Sequence, residues 1–177
     1  KDADAVTLRA RPGFVATTGA FSLLAEAEGT VALDNHYFSG LNGKTQYPLV
    51  ADPQTLEVNR FQLQYHPVKT LTATVGRQLI NIEDQRFVGA SAWRQNEQTF
   101  DAVRVVNKHI PNVTIDVSYL NQVNRVFGPD GLPGPNDGRF HGDTFLGNVA
   151  MQTAFGKVTA FGYLIEFEEK PLPVRDS

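Results

Sequence analysis

The chain has no cysteine among its 177 residues, which excludes disulfides, thiolate metal sites and cysteine nucleophiles together. It has no apolar run near the roughly 20 residues that a membrane-spanning helix needs, and no segment keeps a helical period. Charge of one sign is also missing. The formal net charge is -3, so total charge points to neither nucleic acid nor an acidic polymer, and no nucleic-acid partner is expected. No Gly-Lys-Ser/Thr loop, nucleophile elbow or pair of catalytic carboxylates occurs, so neither an enzyme nor a cofactor is expected. His36, His66, His109 and His141 fall on separate elements without ligand spacing, so no metal is expected. None of these absences excludes a membrane barrel, whose strands bury only alternate residues in lipid.

What is present is alternation. Val6, Leu8, Ala10, Phe14 and Ala16 alternate with Thr7, Arg9 and Arg11, which predicts a strand over residues 5–17 with one apolar and one polar face. Thr18-Gly19 turns the chain, and Phe21, Leu23, Ala25 and Ala27 return against Ser22, Glu26 and Glu28. Similar hairpins are predicted around residues 60–75, 100–125 and 144–167. At Gly76 the parity breaks: Arg77 would fall on the apolar side unless a bulge at the glycine re-aims it. Residues 34–55, 82–97 and 127–143 read as long loops, and the tail from Glu168 reads as loop.

About eight strands in hairpins with short internal turns and long connections match the layout of outer-membrane barrels. The expected fold is therefore all-β: an antiparallel up-and-down transmembrane β-barrel segment over residues 1–177. With short turns on the periplasmic side, the first strand would descend from outside, so the chain is expected to be part of a larger barrel and not to conduct by itself. The competing reading is a soluble β-sandwich or small barrel that binds carbohydrate. The two differ in whether the apolar stripe meets lipid or a sealed core.

The stretch GRQLINIEDQRFVGASAWRQNEQTFDAV at Gly76–Val103, with YLNQVNRVFG at Tyr119–Gly128 and the LRAR and TGAFSLLAEAEG segments, resembles the alginate-export family of outer-membrane porins. The resemblance implies a closed antiparallel barrel considerably longer than this chain. It also implies a passive pore with an arginine-lined lumen for anionic or neutral saccharides, in outer-membrane lipid.

Arg9, Arg11, Arg60, Arg77 and Arg104 fall, or can fall, on the polar face. There they would either form a positive ladder along a lumen or pair with Glu26, Glu28 and Asp116 to stiffen the wall. Arg86, Trp93, Arg94, Gln95, Asn96 and Gln98 suit an inward-folded loop, through ring stacking and hydrogen bonds to sugar hydroxyls, or they hold that loop together. Phe14, Phe21, Tyr65, Phe155 and Phe161 lie near the short turns, where an aromatic girdle is expected. Asp130, Asn136, Asp137 and Asp143 lack EF-hand order and read as surface loop.

Overall fold

Alternating segments pair only if register keeps each apolar set on one side, and here it does. The computed structural model describes residues 2–129, 131 and 138–168, with no helix among them. β1 (Asp4–Ala10) and β2 (Gly13–Thr18) both pair with β3 (Phe21–His36). Ala10 faces Gly29 and Gly13 faces Glu26, so the register runs straight through the gap. The strand expected over residues 5–17 is thus a single path interrupted at Arg11-Pro12. Proline has no N–H for the ladder, yet the Pro12 carbonyl still accepts from Ala27 N at 2.9 Å.

β4 (Thr55–Val68), β5 (Leu71–Gln78), β6 (Thr99–Asn107), β7 (Val113–Asn124), β8 (Arg139–Thr153) and β9 (Gly156–Ile165) complete one nine-stranded sheet. Every ladder is antiparallel and, with β1 and β2 taken as one interrupted path along β3, joins neighbours along the chain, which is the expected up-and-down topology. β4 and β8 begin earlier than their composition suggests, because each has ladder partners there: Thr30 opposite Thr55, and Asn124 opposite Arg139. The connections at residues 37–54 and 79–98 and the segment from 125 to 129 share one end of the sheet, and the short turns share the other.

One face is apolar and open. Leu8, Val31, Leu63, Val75, Val103, Val117, Phe145 and Val158 are all exposed on it, and Leu56 is 81% exposed. A sandwich would cover such a face with a second layer. Among the described residues nothing covers it, so the sealed core of the soluble reading is not what the chain builds. A patch this extensive belongs against lipid. Phe14, Phe21, Tyr65 and Phe155 are exposed near the short turns, with Phe21 and Tyr65 stacked at 4.8 Å.

Phe161 departs from that girdle. It pairs with Asn148, which pairs with Asp116 of the polar face, and directly opposed residues point the same way. The even–odd pattern of an edge strand rich in small residues did not separate the two faces. The bulge expected at Gly76 is also absent. Gln62, Gly76 and Ala102 pair in unbroken register, so Arg77 shares a face with its partner Phe61, the apolar one. A partner accommodates its charge: Arg77 Nε and Nη2 donate to the Asp101 carboxylate at 2.7 and 2.9 Å. Gly76 has φ 111°, and a Cβ there would lie 2.3 Å from the Phe61 carbonyl oxygen.

The buried core lies on the other, inner face. Ile80, Ile82 and Val88 of loop 79–98 pack with Phe100, Ala102, Leu120 and Leu146 of β6, β7 and β8.

Candidate functional site

Loop 79–98 is folded by its own polar groups before it meets the wall. Ile82 N donates to Val88 O at 3.1 Å, and Gln98 N donates to Ala90 O at 2.7 Å, closing two successive turns. Ala90 N donates to the Asn81 side chain at 2.8 Å, and Gln98 Nε2 donates to Gly89 O at 2.9 Å. Glu83, Gln85 and Ser91 take positive φ to make the corners.

This unit bridges the inner face. Towards the first strands, Arg9 Nη1 donates to the Arg94 and Gln95 carbonyls at 2.8 and 3.0 Å. Arg11 pairs with Glu28 and, at 2.7 Å, with Glu97. The Asn96 carbonyl oxygen accepts from Thr30 and Thr55 hydroxyls at 3.0 and 2.9 Å, while its amide donates to Pro53 O at 3.1 Å. Gln95 N donates to Asp52 Oδ1 at 3.2 Å. Loop 37–54 holds that aspartate through Tyr37, whose hydroxyl donates to Asp52 O at 2.9 Å. Burial, then the nearby Asp52 charge, raises the Tyr37 phenol above its ordinary pKa. Towards the last strands, Phe87 packs on Phe161 at 5.6 Å and Tyr163 at 6.4 Å, and Glu83 pairs with Lys157. One loop therefore contacts both β1 and β9, which places it in the hollow of a curved sheet.

The expected arginines divide into distinct environments. Arg60 grips Glu26 through two bonds of 2.9 and 2.6 Å. A register shift between Glu26 and Ala27 lets Asn59 face inward beside it and bond the same carboxylate at 2.8 Å. Arg104 grips Asp116 at 2.9 and 2.5 Å. Arg9 and Arg11 hold the loop, and Arg77 lies on the apolar face. Arg94 stacks over Trp93 at 4.3 Å and reaches Ala51 O at 3.5 Å. Trp93 is 79% exposed. Arg86 is also exposed on the loop. Trp93 and Arg94 thus combine an exposed ring with a cationic donor, a set able to stack on a sugar and bond its hydroxyls or carboxylate, while Arg86 is an exposed cation elsewhere on the same loop.

The sequence pattern missed Glu97, Asn59 and Asp101, which neutralise or orient these cations. Their signal was faint: acidic or amide side chains, Asn59 and Asp101 on strands and Glu97 in the loop, with partners tens of residues away. Asp143 accepts from Tyr119 Oη at 2.6 Å, whereas Asp130, Asn136 and Asp137 lie outside the described residues. No group of three or more potential metal ligands exists among the described residues.

A family model described as alginate export matches residues 2–117. No curated protein sequence matches. The crystal structure of Pseudomonas aeruginosa OccD3 (OpdP) is similar with a TM-score of 0.62 at 12% identity, over 92% of this chain and 36% of that one. At that identity the likeness is one of fold, and this chain spans about a third of the porin's length. The unclosed antiparallel sheet, its open apolar face and the matched sequence together make the chain a member of the alginate export family of bacterial outer-membrane β-barrel porins.

Proposed function

We propose that the barrel to which this sheet belongs is a passive diffusion channel for anionic or neutral saccharides, with loop 79–98 narrowing its lumen. The observation that carries the reading is the Trp93–Arg94 stack on a loop wedged against the inner face: Trp93 is 79% exposed although its loop is otherwise tied down. An exposed indole has no packing role to explain it, and beside a guanidinium it offers a stacking surface with donors at its rim. Gln95 follows the stack directly in the chain, and Arg86 adds an exposed cation elsewhere on the same loop. Most wall arginines are neutralised by carboxylates, so anion preference rests on Arg86 and Arg94 rather than on a ladder of all of them. The pore acts by size, stacking and charge, and performs no covalent chemistry.

The test is planar-bilayer recording of the whole protein with sugar oligomers added. Trp93→Ala is expected to shorten oligosaccharide blockades about tenfold while leaving open conductance near wild type, the loss of one stacking contact. Blockades of unchanged length in Trp93→Ala, or no blockades in wild type, would remove the saccharide reading.

A further inference from the structure

The short turns carry cations and no anions. Asp and Glu are absent from residues 5–25, 58–82, 102–115 and 144–165, the stretches that hold the four short turns, and all 19 acidic residues lie outside them. Lysines stand in or beside three of these turns: Lys69, Lys108 and Lys157. The turns also form one continuous rim. His66 N donates to Ala20 O at 2.7 Å, Lys108 N to Thr70 O at 2.7 Å and Gln152 N to Asn112 O at 2.9 Å, each bond joining neighbouring turns. Exposed apolar side chains reach this rim: Val68, Ile110 and Val158 are open, and Phe155 is wholly so. Where a lipid-facing surface stops, headgroup phosphates begin.

The three lysines differ in what they are free to do. Lys157 is held by Glu83 of the docked loop. Lys69 and Lys108 are exposed and have neither an ion pair nor a side-chain hydrogen bond among the described residues. Lys108 leans over the lumen, where it lines the cleft beneath the loop tip. Lys69 stands in its turn beside exposed Val68. A lysine so placed lays its methylenes against apolar surface and lifts its ammonium to the phosphates. A cation at that level is drawn to an anionic leaflet, and an acid would be repelled by it.

We propose that the short-turn rim is a contact surface for anionic phospholipid headgroups, with Lys69 as its principal cation and Lys108 as the second. This surface faces the bilayer, and it stands whatever solute the lumen carries. By holding the turns at headgroup level, it fixes the depth at which this end of the wall sits.

Lipid selectivity by electron paramagnetic resonance tests it. The whole protein is reconstituted in phosphatidylcholine vesicles with a trace of chain-spin-labelled phosphatidylglycerol or phosphatidylcholine, and the motionally restricted fraction beside the protein is measured. Phosphatidylglycerol is expected to associate about threefold more strongly than phosphatidylcholine, averaged over the boundary. Lys69→Gln should reduce that preference, and Lys69→Gln combined with Lys108→Gln should remove it. Lys69→Arg should keep it, as should Lys157→Gln, whose ammonium is already paired. About 1 M salt should erase it in wild type, since screening then acts within about 3 Å. Both substituted side chains are exposed, so the variants are expected to fold and to keep heat-modifiable mobility. Equal association of the two lipids with wild type would hand the rim to an acidic protein surface and overturn the proposal. A preference that survives the double substitution would overturn it too, as would an equal loss in Lys157→Gln and Lys69→Gln.

Discussion

At the scale of the residue, the sharpest constraint is Glu28, whose side chain is wholly buried against Arg11. A buried carboxylate is tolerable only while its partner remains. Arg11→Gln would strand Glu28 and Glu97 together, and it is expected to cost about 3 kcal/mol. The expected readout is an earlier unfolding midpoint in urea, followed in detergent micelles. Lys157→Gln breaks an ion pair whose partners are 44% and 29% exposed, so less than about 1 kcal/mol is expected in the same titration. Near-equal losses in the two variants would mean that water reaches Glu28 in the hollow. Arg77 follows different logic. On the apolar face its charge is tolerated through Asp101, so Asp101→Ala is expected to destabilise more than Asp143→Ala, which removes only the acceptor of an exposed tyrosine.

At the scale of the element, Gly76 and Gly156 separate two effects of left-handed backbone. Both have positive φ, but only at Gly76 does a Cβ meet backbone atoms. Gly156→Ala carries conformational strain alone, about 1 kcal/mol. Gly76→Ala must also push β4 from β5, and it is expected to abolish the compact, heat-sensitive gel mobility that Gly156→Ala keeps.

Gly76 also marks where legibility ended. The strands were readable because alternation at period two is a property of consecutive residues, as in Leu71, Ala73 and Val75. Whether Arg77 is re-aimed or partnered depended on Asp101, on the neighbouring strand, which alternation along one strand cannot report. The loop was recognisable from its polar, aromatic middle, and its inward course followed that reading. Its apolar footing was hidden, because Ile80, Ile82 and Val88 have no period of their own and match Phe100, Leu120 and Leu146 only in space. Phe161 was misplaced for the same reason: its neighbour Phe87 comes from the loop.

At the scale of the whole molecule, an apolar outer face and edge strands with a single neighbour each leave the 177-residue chain poorly suited to plain buffer. It is expected to precipitate without detergent and to migrate as a compact, heat-modifiable species once detergent is added. A monodisperse monomer in buffer by sedimentation would contradict the lipid assignment of that face.

The docked loop bears on the order of assembly as well. Its bonds from Arg9 and Arg11 join residues 85 and 86 apart in the chain, whereas each hairpin closes locally. Distant contacts form late, since chain closure must precede them. The hairpins would therefore be in the bilayer before the loop finds its seat. The nascent barrel would pass through a stage wider than its mature form, with the constriction added last, a transient leak that faster docking would shorten.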